Sequence, residues 1–160
     1  AMAAQGDMRA GLAEAQQGSD AILATGMKHI RYLAVLADVY HMAGQIETAL
    51  ALVDDLLAAV EATDEREWEA ELHRLKGALL WQQGGDDQAE ECYLRAIAIA
   101  RQQQAKALEL RATVSLCRLW QAQDKTQEAY LQLSTLYRCF SEGFDAPDLR
   151  AAKGLLEELQ

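Results

Sequence analysis

The feature that most constrains the fold of this chain is an internal repeat with a period of about 40 residues. A shift by that period aligns residues of similar size in several columns. We name three of them the bulky column (Tyr40, Leu80, Trp120), the small-residue column (Ala37, Gly77, Cys117) and the alanine column (Ala49, Ala89, Ala129). A partial earlier copy, slightly out of this register, places Gly6 in line with Gly44 and Gly11 in line with Ala49. The agreement indicates a chain built from units that stack on one another.

Each repeat has the pattern of two amphipathic helices, because its apolar positions step by three and four residues. The breaks fall at Gly44, at Gly84-Gly85 and at Asp124, which tolerate the left-handed backbone of a tight turn. We predict first helices at 28–43, 64–83 and 104–123, and second helices at 46–62, 86–102 and 125–141. An orphan second helix at 7–25 and a capping helix at 147–159 complete a single domain of residues 1–160. The predicted fold is an all-α, right-handed solenoid with repeats at 28–62, 64–102 and 104–141.

The small-residue column lies in the middle of the first helices. Glycine inside a helix costs about 1 kcal/mol relative to alanine. Gly77 therefore predicts that a neighbouring helix backbone approaches closely. We expect the alanine column to supply the opposing small surface, and the bulky column to fill the space between adjacent helix pairs.

The charge of the chain limits its partners. It carries 15 Lys and Arg against 25 Asp and Glu, a net charge of −10. Nucleic acids and anionic membrane surfaces repel so acidic a chain, so we expect no direct binding to either. No stretch free of charged residues exceeds nine residues, which is too short to span a bilayer. Three widely spaced cysteines, Cys92, Cys117 and Cys139, suggest reduced thiols and a cytoplasmic location.

The order of small, aromatic, glycine and alanine columns resembles the tetratricopeptide repeat (TPR) family, whose usual period is about 34 residues. The runs at 68–77 (WEAELHRLKG), 105–120 (AKALELRATVSLCRLW) and 142–149 (EGFDAPDL) look more specifically like one group. That group is the C-terminal repeat region of large bacterial regulators, which join a nucleotide-cyclase-like or winged-helix activator part to a signal-transducing ATPase module. One departure is Ala146, which stands where that pattern has a threonine cap. The resemblance implies the regulatory end of a larger signalling or transcription-regulating protein, with the chemistry elsewhere.

The candidate binding residues lie on the face of the first helices that is opposite their core stripe. They are Arg31, Asp38, His41, Glu71, Arg74, Trp81, Arg111 and Arg118. The TPR resemblance implies that this face lines a groove where peptides bind. Arginines bind carboxylates in a bidentate geometry and a tryptophan provides an apolar anchor, so we expect an acidic or C-terminal peptide partner. The alternative is a solvated face with local pairs such as Glu71–Arg74.

No catalytic set emerges from the sequence. Glu69 and His73 are four residues apart, as metal ligands can be, but a third ligand is missing. A partly buried, hydrogen-bonded His73 is the better interpretation. We therefore predict a non-catalytic protein-interaction module without cofactor or metal. Two rivals remain: a homo-oligomerisation module that buries its apolar ends, and a small-ligand sensor with Trp81 or Trp120 in a pocket wall.

Overall fold

The computed structural model describes residues 30–63 and 66–160. All regular secondary structure in these residues is helical, which confirms the predicted all-α class. The contacts divide the chain into two compact units, Ala1–Trp68 and Glu69–Gln160. The orphan helix predicted at 7–25 lies outside the described residues. Within them, no helix combines the length and the apolar character that a bilayer-spanning segment needs.

The first unit contains a helix hairpin followed by a short helical turn. Helix α1 spans Ile30–Met42, α2 spans Ile46–Thr63, and a 3-10 helix follows at Arg66–Trp68. The apolar stripe of α1 is buried, including Leu33 and Tyr40. From α2, Val53 and Val60 are fully buried. The hairpin therefore forms because each helix has one apolar side to cover.

The second unit contains five helices. They are α3 (Glu69–Gln82), α4 (Asp86–Gln102), α5 (Lys106–Ala122), α6 (Thr126–Tyr137) and α7 (Pro147–Glu158). Each of α3 to α6 packs against the next, α3 also packs against α5, and α7 packs against both α5 and α6. One apolar cluster joins α4 to α5, and a second joins α5, α6 and α7. Trp120 packs against both clusters, so it fills the space between adjacent helix pairs as predicted.

The hairpin turns confirm that the three members of the bulky column occupy equivalent positions. After each first helix a residue adopts a positive φ, namely Gly44 (74°), Gly84 (81°) and Asp124 (61°). The next residue donates its backbone N–H to a carbonyl oxygen of the bulky column, at 2.9 Å for Tyr40, 3.0 Å for Leu80 and 2.8 Å for Trp120. This hydrogen bond belongs to the Schellman motif that ends many helices. The bulky column thus has the same backbone role in all three hairpins.

In the two hairpins of the second unit, the small-residue column packs closely against the alanine column, as predicted. A Cβ placed on Gly77 would lie 2.7 Å from a ring carbon of Tyr93 and 3.2 Å from the carbonyl oxygen of Ala89. In the next hairpin, the Sγ of Cys117 donates to the carbonyl oxygen of Ala129 at 3.3 Å. In both hairpins a small side chain therefore lets the first helix approach the backbone of the second.

Three predicted boundaries need correction. The helix predicted at 64–83 is preceded by the 3-10 helix, and α3 begins only at Glu69. The helix predicted at 104–123 begins at Lys106, because Gln104 takes a left-handed φ of 56° in the turn before it. The helix predicted at 125–141 ends at Tyr137, whose ring packs against Phe144 with centroids 5.7 Å apart. Cys139 therefore follows the helix and is exposed.

Candidate binding face

The second unit places two first helices, α3 and α5, directly against each other. An ion pair connects them: the Nη2 atom of Arg111 is 2.9 Å from the Oε1 atom of Glu71. Glu71 and Arg111 occupy equivalent positions in consecutive repeats. The two residues that the sequence placed in one column are therefore in contact between the two helices. Trp81 on α3 and Arg118 on α5 lie further along the same two helices. We call the surface formed by Glu71, Arg74, Trp81, Arg111 and Arg118 the α3–α5 face.

A buried carboxylate organises one end of the α3–α5 face. Glu71 is only 5% exposed. Arg74 donates to it through two atoms, from Nε to Oε2 at 3.0 Å and from Nη2 to Oε1 at 2.9 Å. On the other side of Arg111, Nε lies 3.9 Å from Oδ1 of Asp148 at the start of α7. The Glu71–Arg74 pair that the sequence suggested is present, but it is buried rather than solvated. The carboxylate of Glu71 holds the guanidinium groups of both Arg74 and Arg111 in place.

The other end of the α3–α5 face is more open. Arg118 is exposed and forms no ion pair within the part of the chain that the structure describes. Trp81 is partly buried and packs its ring against the cluster that joins α4 to α5. The face therefore combines two fixed arginines, one exposed arginine and one partly exposed indole.

The remaining predicted site residues lie on α1, in the first unit. The guanidinium of Arg31 lies over the ring of Trp68, 5.7 Å from its centroid, in a cation–π geometry. Oδ1 of Asp38 is 3.8 Å from Nδ1 of His41. Trp68 as a partner of Arg31 and Asp148 as a partner of Arg111 were not predicted from the sequence. The contact with Asp148 depends on how α7 packs against α5, for which the sequence has no local signal.

A second buried carboxylate, Glu109, lies at the start of α5. Its Oε1 atom is 2.7 Å from Nε of Arg101, and its Oε2 atom is 2.9 Å from Nζ of Lys106. Burial opposes ionisation, but the hydrogen bonds from Arg101 and Lys106 outweigh it and hold the pKa of Glu109 below its usual value. Glu69, which holds the equivalent position in α3, is also buried. A repeated glutamate at the start of first helices was the signal that could have predicted this cluster.

An open cleft of about 500 Å³ lies beside Glu109. Trp120 contributes to its lining, together with Leu131 and Leu136 of α6. The indole Nε1 of Trp120 donates to Oε1 of Glu90 at 2.9 Å, which fixes the ring. The second unit thus has a tryptophan in the wall of a cleft, which is the feature that the small-ligand rival requires.

Two groups with catalytic potential are poorly placed for chemistry. Burial, aided by the positive charges of Arg95 and Lys76, lowers the pKa of His73 to about 4, so its ring is neutral near pH 7. Burial also raises the pKa of the Cys117 thiol to about 12, which leaves it protonated and unreactive. Within residues 30–63 and 66–160, no three His, Cys, Asp or Glu side chains converge as metal ligands do.

Comparison with known sequences supports the repeat class. Residues 30–102 match the sequence profile of the family described as tetratricopeptide repeat. Over 86 residues the chain is 37% identical to an uncharacterised protein of Rhizobium meliloti (strain 1021). That alignment includes 53% of this chain but only 8% of the relative, so the chain spans a small part of that protein's length.

Comparison with solved structures supports the fold. Two crystal structures of nearly identical TPR-like repeats, from a Podosopora anserina protein described as a kinesin light chain, superpose with TM-scores of 0.71 and 0.69. Each comparison covers 96% of this chain and 77% or 78% of the other, at 18% and 19% identity. The fold is therefore that of TPR-like helix pairs. Such repeats bind protein partners, and their fold is typically a non-catalytic interaction scaffold.

Proposed function

We propose that this chain is a non-catalytic protein-interaction module that binds an acidic or C-terminal peptide segment on the α3–α5 face. The observation that carries the proposal is the position of Glu71, whose buried carboxylate fixes Arg74 and Arg111 in one orientation. A binding site gains affinity when its side chains are ordered before the ligand arrives. Arg118 and Trp81 then supply the exposed charge and the apolar anchor.

The local charge supports an anionic ligand. The α3–α5 face contains three arginines, Arg74, Arg111 and Arg118, and one glutamate, Glu71. Asp148 offsets part of this, at 3.9 Å from Arg111. The chain as a whole carries a net charge of −10, which repels an acidic peptide at long range. At physiological salt this repulsion is screened beyond about 8 Å, so contact between the peptide and the arginines decides the affinity.

We also propose that this chain is part of a larger protein. The module would form the regulatory C-terminal part of a larger, cytoplasmic bacterial protein in signalling or transcription control. The resemblance of three sequence runs to such regulators supports this, as does the match to a small fraction of a long Rhizobium protein. The activity of the larger protein would lie outside the repeats.

Peptide binding with charge-reversed variants tests the proposed face. The probes are short fluorescein-labelled peptides that end in an acidic segment, each paired with its C-terminally amidated form. Arg118→Glu changes an exposed residue outside the Glu71 cluster, so the fold should survive. We expect anisotropy titrations to give about tenfold weaker binding, which corresponds to about 1.4 kcal/mol. Arg138→Glu, at an exposed arginine just beyond the end of α6, is the matched control and should bind normally.

Equal affinity of the Arg118→Glu and Arg138→Glu proteins for every peptide would contradict the proposed face.

The cleft beside Trp120 favours a second candidate, a small-ligand sensor. Single-tryptophan substitutions separate the two, because Trp81→Phe should remove the fluorescence change on peptide binding and Trp120→Phe should not. A metabolite that changes only the Trp120 signal would support the sensor instead.

A further inference from the structure

Arg111 lies between two carboxylates that hold it with different strength. Oε1 of Glu71, on α3, is 2.9 Å from Nη2 of Arg111. Oδ1 of Asp148, in the first turn of α7, is 3.9 Å from Nε of Arg111. The first distance is that of a charge-assisted hydrogen bond, whereas the second exceeds hydrogen-bond range and leaves only an ion pair. Arg111 is therefore held tightly by α3 and loosely by α7.

The two carboxylates also differ in their contact with water. The side chain of Glu71 is 6% exposed, and that of Asp148 is 47% exposed. Separating a buried ion pair is costly, because it leaves charge in a poorly solvated place. A half-exposed carboxylate can turn into water at little cost, because water solvates it there. Asp148 is thus the carboxylate beside Arg111 that a ligand can displace.

The packing of α7 keeps the backbone of Asp148 beside Arg111. Leu110 and Leu149, the chain neighbours of these two residues, belong to one buried cluster. Ala152 and Leu155 continue the contact of α7 with this cluster. A group that is attached next to a site competes for it at a high effective concentration. The side chain of Asp148 can move away from Arg111, but it returns whenever the place is vacated.

We infer that Asp148 is an internal competitor that occupies the place of a ligand carboxylate beside Arg111 and so sets the affinity of the α3–α5 face for acidic peptides. This inference rests on the proposed function. A peptide carboxylate that reaches Nε of Arg111 at hydrogen-bond distance makes a closer contact than Asp148 does, so it displaces that side chain. The displacement weakens each binding event, because the ion pair between Arg111 and Asp148 is lost.

The competition concerns one class of ligand. A peptide that brings a carboxylate to Arg111 must replace Asp148 and is also repelled by its charge. A peptide without carboxylates does neither. Asp148 therefore reduces the preference of the face for anionic peptides and leaves the binding of neutral ones unchanged.

Anisotropy titrations with the acidic fluorescein-labelled peptides test the inference. The ion pair is weak because it is half exposed, so Asp148→Asn should bind them about threefold more tightly. Asp148→Ser, which also suits the start of a helix, should show the same gain. Asp145→Asn is the matched control: it removes the same charge from an exposed position just before α7 and should leave the affinity unchanged.

A second background shows whether Asp148 acts through Arg111. In Arg111→Gln the guanidinium for which the carboxylates compete is absent. Asp148→Asn should therefore give no gain in that background, whatever the affinity that remains. Peptides whose carboxylates are all replaced by amides should bind the unmodified chain and Asp148→Asn alike. Circular dichroism of each variant verifies that α3 to α7 remain folded.

Each other outcome overturns the inference. An equal gain in Asp145→Asn, or a gain that persists in Arg111→Gln, would assign the effect to the overall charge of the chain. Unchanged or weaker binding by Asp148→Asn would remove the competition. If Arg118→Glu still weakens binding in that case, the proposed function remains and only this inference fails. If neither the unmodified chain nor Asp148→Asn binds any of the acidic peptides, the proposed function fails and the inference fails with it.

Discussion

The hairpins α3–α4 and α5–α6 have equivalent turns but divide their interior volume differently. In α3–α4 the first helix contributes Gly77 and the second contributes the large ring of Tyr93. In α5–α6 the corresponding residues are Cys117 and Leu133, both fully buried in one cluster. The smaller residue of the first helix therefore faces the larger residue of the second. What the repeat keeps is the combined volume of the pair, because a close-packed interior tolerates neither a void nor an overlap.

The two hairpins also carry different residue types at two further pairs of equivalent positions. The position occupied by His73 in α3 is occupied by the fully buried Thr113 in α5. The hairpin turn is made by Gly84 in one case and by Asp124 in the other. Equivalent positions thus carry different side chains. Exchanging these residues between the hairpins, and measuring the free energy of unfolding, shows which of the differences affect stability.

The largest expected effect is at Gly77. In Gly77→Ala the new Cβ would overlap the Tyr93 ring, at 2.7 and 2.8 Å from two ring carbons. Overpacking of a core costs about 1–3 kcal/mol, which outweighs the gain in helix propensity. We expect the free energy of unfolding, measured by urea titration, to fall by about 1–2 kcal/mol.

Gly154→Ala is the matched control for Gly77→Ala. Gly154 lies inside α7, and a Cβ placed there has no atom within 4 Å. The same substitution should therefore stabilise the protein, by up to about 1 kcal/mol. In a Tyr93→Leu background, which copies the pair of α5–α6, Gly77→Ala should lose most of its cost. A loss that persists in that background would contradict the explanation by volume exchange.

The next largest expected effect is a loss of stability at acid pH, which is caused by His73 on α3. Because the pKa of His73 is about 4 when folded and 6.5 when unfolded, the unfolded chain binds the proton first as the pH falls. Stability from this group is complete above pH 6.5 and is lost between pH 6.5 and 4. A single proton changes the free energy of unfolding by at most about 1.4 kcal/mol per pH unit. The partial exposure of the ring narrows the pH range over which this slope applies.

His73→Thr installs the residue that α5 has at this position. It should reduce the dependence of the unfolding free energy on pH between pH 6.5 and 5. His41→Thr on α1 is the comparison variant, and it should leave the slope due to His73 in place. An unchanged slope in His73→Thr, measured by urea titration at each pH, would assign the acid sensitivity to other groups.

The hairpins were predictable from sequence because each is specified locally. Gly44, Gly84 and Asp124 provide turns, and the apolar spacing provides the helices between them. The turn at Gln104 was missed, since three successive glutamines carry no signal for a left-handed residue. The end of α6 was missed for a different reason: Tyr137, its last residue, contacts Phe144 across the following loop, and local sequence does not reveal such a contact.

The α3–α5 face was only partly predictable. The repeat register placed Glu71 and Arg111 in one column, and the structure brings them into contact. Periodicity identifies the side of a helix, but it does not report how deeply that side is buried. The burial of Glu71 arises from packing of α3 against α5, so a residue expected to meet a ligand serves instead to fix the arginines around it.

The smallest expected effect is at the hairpin turns. Asp124 has a φ of 61°, and its carboxylate lies at the negative end of α5. Asp124→Gly removes both the steric and the electrostatic penalty, while it raises the conformational entropy of the unfolded chain. We expect the free energy of unfolding, measured by thermal or urea denaturation, to rise by about 0.5 kcal/mol. Asp124→Asn keeps a side chain that tolerates this geometry and removes only the charge, so the difference between the two variants measures the backbone contribution. Gly84→Asp should reverse the effect in α3–α4, and a neutral result there would mean that the two turns are not equivalent.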